Sequence, residues 1–147
     1  MGTLVAVSDI PTLDHFPAHA QDKLRYGDTD RQGHVNNAVF SSLLETGRVE
    51  VLHGSAGPLA DAGSSFVIAR LVLQFVGELQ WPGTVDIGTR VARVGRSSVT
   101  MEQAIFQDGR CCATGESVIV QVDDATRTSK ALSVAAVMRL KALTTSG

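Results

Sequence analysis

The amino-acid sequence predicts an α+β fold in which one long helix lies against an antiparallel sheet. A loop rich in Gly, Asp and Asn covers residues 26–37, and an apolar pattern of helical period follows it over residues 38–53. From Ser65 the apolar residues recur with a period of two, in four runs separated by short turns. Short connections between successive strands favour antiparallel pairing. A single helix against such a sheet gives a two-layer α+β arrangement.

The composition is that of one globular domain. The chain has 147 residues, of which 44% are hydrophobic and 19% charged, enough for one buried core. We expect the domain to span residues 18–125, after a loosely ordered leader over residues 1–17. The tail, residues 126–147, has room for a short helix over residues 133–143, with Ser133 as its cap and Val134, Val137 and Met138 on one side.

Charge and hydropathy exclude several classes of partner. The net charge of -2 gives no reason to expect nucleic acid or an anionic membrane surface. No apolar run approaches the ~20 residues of a membrane span, and the N-terminus lacks the basic region of a signal peptide. Cys111 and Cys112 are adjacent, so they cannot form an ordinary disulfide or a C-x-x-C site. These features predict a cytoplasmic protein.

The element order follows from the periodicity. Residues 18–26 predict a first strand that ends in the run Lys23–Tyr26. The helix is expected over Ala38–His53, with Asn36 or Asn37 as N-cap and Gly54 as its end. Asp108-Gly109 is the strongest hairpin signal. The four later strands are predicted at Ser65–Val76 (whose odd positions are all apolar), Thr84–Val94, Val99–Phe106 and Cys112–Val122.

The loop before the helix carries most of the candidate chemistry. Asp28 and Asp30 lie just ahead of backbone N–H groups near Asn36 and Asn37 that have no partner within the helix. Those N–H groups and the helix dipole favour negative charge. They can polarise a carbonyl while a carboxylate attacks it or activates water. This pattern suits acyl transfer without a serine or cysteine nucleophile.

The same loop allows two other interpretations. Asp, Gly and Asn are common turn residues, so the segment could be a plain turn. A calcium loop starting at Asp28 would have Gln32 at position five and Val39 at position twelve, where a bidentate Glu is required. Calcium is therefore excluded. No other metal-ligand or nucleotide-binding motif is present, so we expect no metal site.

The loop motif is Arg25-Tyr-Gly-Asp-Thr-Asp-Arg-Gln-Gly-His-Val-Asn-Asn37, and the helix that follows it carries Glu45 and Arg48. This pattern resembles the hotdog-fold acyl-CoA thioesterases. It is most similar to the 4-hydroxybenzoyl-CoA thioesterase branch. The resemblance covers roughly residues 20–125, counted on the printed sequence. It implies a central helix wrapped by a curved antiparallel sheet of about five strands.

The resemblance also implies roles for individual residues. Asp30 takes the position of the catalytic carboxylate, as nucleophile or general base, and Asn37 marks the helix N-terminus that polarises the thioester carbonyl. His34 and Glu45 are further catalytic candidates, although Glu45 could instead form an ion pair with Arg48 at i,i+3. Asp28 is expected to shape the loop. The candidates for binding substrate or CoA are Tyr26, Asn36, Arg93, Arg96, Ser97 and Ser98.

The function implied is hydrolysis of an acyl-CoA to a free acid and CoA. No cofactor is expected beyond the CoA of the substrate. The acyl group would enter between two subunits, in a homodimer or homotetramer. Two alternatives stay open. One is a hotdog dehydratase or hydratase; those enzymes carry an H-F-P-G segment, which His15-Phe16-Pro17 of this chain matches only in part. The other is a non-catalytic acyl-CoA-binding protein.

Overall fold

The computed structural model describes residues 10–144 and contains five strands and two α-helices. A short 3₁₀ turn precedes the first strand at Leu13–His15, and a second one lies within the motif loop at Tyr26–Asp28. The helices and strands run in the order β1 (Ala18–Lys23), α1 (Asn37–His53), β2 (Ser64–Phe75), β3 (Thr84–Val94), β4 (Ser98–Gln107), β5 (Arg110–Asp123) and α2 (Val134–Lys141).

The five strands form one antiparallel sheet in the order β1-β3-β4-β5-β2. The inner face of the sheet wraps α1, which contacts β1, β3 and β4 most closely. This arrangement confirms the predicted α+β hotdog fold. The hairpin at Asp108-Gly109 is also confirmed, since both residues have positive φ, as a type I′ turn requires.

The first strand ends earlier than predicted. Lys23 is the last residue of β1; the Leu24 N–H still donates to the Gly83 carbonyl at 2.9 Å, and the chain then turns at Arg25 and Tyr26. The Arg25 N–H donates to the Asp28 carboxylate at 2.8 Å, and the Asp28 N–H donates to the Arg25 carbonyl at 2.9 Å. A local side-chain acceptor of this kind offers the backbone an alternative to sheet pairing. The strand prediction was therefore wrong for residues 24–26.

Strand β2 contains a bulge. The register with β5 shifts between Ile68 and Arg70, so the alternation of side chains changes phase there. Phe66 before the bulge and Leu71 and Leu73 after it all pack toward the inner face. The apolar odd positions of the sequence therefore do not share one face along the whole strand.

The tail forms α2, and the predicted cap is confirmed, since the Ser133 hydroxyl accepts the Ala136 N–H at 3.0 Å. Helix α2 packs on the sheet through a different side from the one that carries Val134 and Met138. Ala136 and Leu140 are buried, whereas Val134 and Met138 are 78% and 68% exposed. In so short a helix the contact with the sheet, rather than the apolar count, decides which side faces inward.

The position of α1 depends on two glycines. A Cβ on Gly47 would lie 2.7 Å from Gln103 Nε2 and 3.0 Å from Thr89 Oγ1, and one on Gly115 would lie 2.7 Å from Leu44 Cδ1. The missing side chains let the helix backbone approach the sheet closely. Gln103 then donates to the Leu44 carbonyl at 2.9 Å, which links helix and sheet directly.

The segment ahead of β1 packs on the outer face of the sheet. Phe16 is buried and lies edge-on to Phe106, with ring centroids 6.2 Å apart. It occupies the space over Gly88, where a Cβ would meet Phe16 Cγ at 2.6 Å. Residues 1–9 of the predicted leader lie outside the described residues, and the domain boundaries stay a prediction. In the part that the structure describes, no helix is long and apolar enough to cross a membrane.

We expect Gly88→Ala to destabilise the protein by about 1–3 kcal/mol, because the new methyl group overpacks a core contact. The clash includes Phe16 Cβ at 2.8 Å, close to the backbone, so a simple side-chain rotation does not relieve it. Urea unfolding measures the change. Gly27→Ala is the control, since nothing lies within 4 Å of a Cβ there. Equal stability of the two variants would contradict the packing role of Phe16.

Candidate functional site

The loop between β1 and α1 is held by its own polar groups. Asp28 accepts the Arg25 N–H, and its carbonyl accepts the Asn36 N–H at 2.8 Å. Thr29 and Val35 form an isolated antiparallel bridge, which closes the segment between them into a tight loop. Gly33 allows the turn because its φ is +81°. The loop geometry therefore follows from the Asp, Gly and Asn positions that the sequence displays.

Asp30 lies at the tip of this loop with one carboxylate oxygen fixed. Oδ1 accepts the N–H of Gln32 at 2.9 Å and the N–H of His34 at 3.2 Å. The Asp30 N–H donates to the His34 carbonyl at 2.8 Å. Within residues 10–144, Oδ2 has no hydrogen-bond donor, and the side chain is exposed. One oxygen thus anchors the carboxylate, and the other is available to a substrate or a water molecule.

Helix α1 begins beside Asp30. Asn36 is the N-cap, and its side-chain oxygen accepts the Ala38 N–H at 2.9 Å. The Val39 N–H donates to the Asn36 carbonyl, also at 2.9 Å. The Asn37 N–H has no acceptor among the described residues. This N–H lies at the positive end of the helix dipole, which stabilises a developing negative charge.

Asp30 and Asn37 line the same cavity, which has a volume of about 420 Å³. One apolar wall is formed by Phe40 of α1 and Phe75 of β2, whose ring centroids are 5.1 Å apart. The cavity is open to the surface, and Phe75 is 51% exposed. The full lining is Asp30, Gln32, His34, Val35, Asn37, Phe40, Phe75, Val76, Gly77 and Glu78.

The structure adds Glu78, which sequence reasoning missed. Its Oε2 lies 3.6 Å from His34 Nε2, the distance of an ion pair when the imidazole is protonated. Both side chains are about half exposed, so the pair contributes little to stability. Glu78 follows β2 without any motif, and its contact with His34 spans 44 residues of chain. No local sequence signal could have identified it.

Other candidates lie away from this cavity. Tyr26 is exposed and rests edge-on against Trp81, with centroids 5.1 Å apart. Glu45 lies roughly 12 Å along α1 from Asn37, at ~1.5 Å per residue. It is exposed and forms no ion pair within 4.0 Å with Arg48 or any other described residue.

The β3–β4 turn is farther still from the cavity. At the turn, Ser98 of β4 pairs with Val120 of β5. At the cavity, Phe75 of β2 pairs with Ala113 of β5. Each set of paired residues across the sheet is called a row. Seven residues of β5 separate the two rows, roughly 23 Å at ~3.3 Å per residue. Within one chain, the structure does not bring the turn residues to the site. They are Arg93, Arg96, Ser97 and Ser98.

The two cysteines are buried in the sheet. Burial raises the pKa of both the Cys111 and the Cys112 thiol, so they stay protonated and unreactive at neutral pH. Within residues 10–144, no cluster of three or more His, Cys, Asp or Glu side chains is placed to hold a metal ion.

Known proteins are similar to this chain in sequence and in fold. The chain matches the model of the thioesterase-like superfamily over residues 24–141. A search of the curated proteins finds no match. A Thermus thermophilus thioesterase, solved in complex with coenzyme A and zinc, is 30% identical, with 88% of this chain and 96% of that chain covered and a TM-score of 0.74.

Two further solved structures are similar in fold. A protein of Pseudomonas aeruginosa is 26% identical, with 93% of this chain and 98% of that chain covered and a TM-score of 0.81. The DHNA-CoA thioesterase of Staphylococcus aureus is 19% identical, with 86% and 91% covered and a TM-score of 0.77; this likeness concerns the fold alone.

The fold and family are those of thioester hydrolases. The chain belongs to the thioesterase-like superfamily, because the family model covers most of its length. The resemblance that the loop motif suggested is thereby confirmed.

We expect Asn36→Ala to destabilise the protein by about 1 kcal/mol, because the Ala38 N–H loses its cap. Asn36→Asp is the control, since a carboxylate caps equally well and also favours the helix dipole. Urea unfolding compares both variants with the wild type. An Asn36→Ala variant as stable as the Asp variant would show that the cap does not hold the helix start.

Proposed function

We propose that the protein hydrolyses an acyl-CoA thioester to the free acid and CoA, with Asp30 as the catalytic carboxylate. The observation that carries this proposal is the shared cavity of the Asp30 carboxylate and the Asn37 N–H. The oxygen of a thioester carbonyl between them would accept a hydrogen bond from the Asn37 N–H, and its carbon would face the Asp30 carboxylate. That arrangement suits attack at an acyl carbon.

Two routes use the same atoms. In the first, Asp30 Oδ2 attacks the thioester carbon, the C–S bond breaks with release of CoA thiolate, and water then hydrolyses the acyl-aspartyl anhydride. In the second, Asp30 takes a proton from a water molecule, whose oxygen attacks the carbon directly, and the C–S bond of the tetrahedral intermediate then breaks with release of the CoA thiolate. In both, the Asn37 N–H stabilises the oxyanion of the tetrahedral intermediate.

His34 has a supporting role in this proposal. Its backbone N–H donates to Asp30 Oδ1, and its side chain lies beside Glu78 at the cavity wall. A protonated imidazole there would hold positive charge near the leaving thiolate or the CoA phosphates. Glu45, exposed and outside the cavity lining, would act in catalysis only if a second chain brought it to the site.

CoA is the proposed carrier of the acyl group. The Thermus thermophilus relative, at 30% identity, was solved with coenzyme A bound. Phosphates are bound well by arginine and by hydroxyl groups. The proposed phosphate ligands Arg93, Arg96, Ser97 and Ser98 would serve from the surface of a second chain, given their distance from the cavity of their own chain. The reactants are the thioester and water, and we propose no resident cofactor. A cytoplasmic location stays a prediction.

The exposed edge of β2 supports a homo-oligomer. β2 is a long edge strand of 12 residues, and Ile68, Val72 and Phe75 on it are exposed apolar residues. An unpaired edge of this length is a ready template for another strand. We propose that a second copy of the chain pairs along β2, which would also cover the open side of the cavity at Phe75.

The alternatives gain less support. The segment His15-Phe16-Pro17 expected of a dehydratase does not reach the cavity, since Phe16 is buried on the outer face of the sheet against Phe106. A non-catalytic binding protein would retain affinity for CoA esters without turnover, so a kinetic test separates it from the hydrolase.

We expect Asp30→Asn to lower kcat by about 10²-fold or more, because the amide neither attacks nor takes a proton. The amide oxygen can still accept the Gln32 and His34 N–H groups, so the loop should keep its shape. Thiol release from a panel of acyl-CoAs measures the rate.

Asp28→Asn is the matched control, since its amide oxygen can still accept the Arg25 N–H. We expect this variant to stay within about threefold of the wild-type kcat. Full activity of Asp30→Asn, or equal losses in both variants, would refute the assignment of Asp30. Absence of turnover in the wild type with every ester would favour the binding protein.

We expect Ile68→Lys to raise the dissociation constant of the oligomer by at least about tenfold, because it places a charge on the β2 edge. Sedimentation velocity over a dilution series measures the change. Val134→Lys is the control, since Val134 is more exposed but lies on α2. Unchanged association in Ile68→Lys, or an equal effect of both substitutions, would exclude β2 as the interface.

A further inference from the structure

Helix α1 packs against the inner face of β2 and β5, starting at the cavity. Phe40 meets Phe75 at the cavity end. One helical turn later, Leu44 contacts Gly115, whose partner on β2 is Leu73. The helix and β5 therefore run in the same direction here, one helical turn for every two residues of strand.

Arg48 lies one turn further along α1, on the same face of the helix as Leu44. Its guanidinium donates to Gln103, whose β5 partner is Gly115, and the next row is Ser117 with its β2 partner Leu71. The contact between α1 and the sheet is thus apolar beside the cavity and gains polar groups further along the helix.

Arg48 is a buried cation without a carboxylate. It is 7% exposed, yet its one hydrogen bond within residues 10–144 is a long one, from Nη1 to Gln103 Oε1 at 3.4 Å. No described carboxylate lies within 4.0 Å of it. A guanidinium has five N–H donors, and a buried charge left without a partner is strongly unfavourable. The Arg48 guanidinium therefore needs an anionic oxygen that residues 10–144 do not supply.

Ser117 gives a second, independent observation. Its side chain is 1% exposed, and within the described residues its hydroxyl oxygen has no hydrogen-bond partner. Nearly all buried polar atoms in folded proteins are paired, so an unpaired hydroxyl marks a place where another polar group binds. It lies on the inner face of β5, one row beyond Gly115.

The distance from the cavity fits an acyl group. Gln103, the partner of Arg48 Nη1, pairs with Gly115, whereas the cavity wall lies on the row of Phe75 and Ala113. The two rows are about 7 Å apart, at ~3.4 Å per residue. Measured along α1, the backbone positions of Asn37 and Arg48 are roughly 16 Å apart, at ~1.5 Å per residue, and the Arg48 side chain reaches back toward the cavity as far as Gln103.

We propose that Arg48 and Ser117 bind a carboxylate at the far end of the acyl group, so that the preferred substrates are ω-carboxyacyl-CoA thioesters. The inference rests on the proposed function and specifies its substrate class. A carboxylate can accept two parallel bonds from the guanidinium and one from the Ser117 hydroxyl. A methyl-terminated chain would leave the charge and the hydroxyl unpaired.

The test compares substrates of equal chain length that differ only at the far end. Suberoyl-CoA is set against octanoyl-CoA, and adipoyl-CoA against hexanoyl-CoA, with the wild type, Arg48→Met and Ser117→Ala. We expect the wild type to favour the carboxyl-terminated member in kcat/KM. Arg48→Met should lose roughly 10- to 100-fold on that member only, and Ser117→Ala should lose less.

Arg48→Met keeps the unbranched apolar stem of the side chain and removes the unpaired charge, so the fold should tolerate it. Urea unfolding checks this. If Arg48→Met fails to fold, Ser117→Ala decides, since that change removes only an unpaired hydroxyl. A wild type that favours the methyl-terminated substrate, or equal losses on both members of a pair, would overturn the proposal.

A binding measurement separates this proposal from the proposed function. Calorimetric titration of suberoyl-CoA and octanoyl-CoA into Asp30→Asn, with and without Arg48→Met, reports affinity without turnover. Selective loss of suberoyl-CoA affinity supports the carboxylate site even if Asp30 is not catalytic. If Arg48→Met instead changes self-association and leaves both affinities equal, the partner of Arg48 is a second copy of the chain, and the proposal is wrong.

Discussion

The close contact between α1 and the sheet is the constraint on which the rest of the molecule depends. Gly47 removes the side chain that would hold the helix away from Gln103, and Gly115 makes room for Leu44. Gln103 then donates to the Leu44 carbonyl in the middle of the helix. Because the helix is rigid, this contact also fixes its N-terminus, and with it the direction of the Asn37 N–H.

The site combines a locally determined loop with walls that come from distant parts of the chain. The loop from Arg25 to Asn36 is held by its own hydrogen bonds, which set the Asp30 carboxylate in place. Its walls come from Phe75 and Glu78, more than 40 residues later in the chain. Loops mounted on a rigid helix and sheet are where binding and catalysis most often occur.

Polar groups beneath α1 distinguish this core from a purely apolar one. Arg48, Gln103, Thr89 and Ser117 are all buried between helix and sheet. Gln103 is well satisfied by the Leu44 carbonyl and Thr89, whereas Arg48 has one long bond and Ser117 has none within the described residues. A partly satisfied network is costly unless a further group completes it. We infer that the substrate is that group.

The sequence by itself determined the element order, the helix cap at Ser133, the start of α1 at Asn36 or Asn37, the Asp108-Gly109 hairpin and the loop motif, because each depends on neighbouring residues. Tertiary structure decided the bulge in β2, the buried side of α2 and the meeting of His34 with Glu78. It also placed the β3–β4 turn far from Asp30 within one chain. These features depend on which surfaces pack together, and periodicity along a chain carries no record of such long-range contacts.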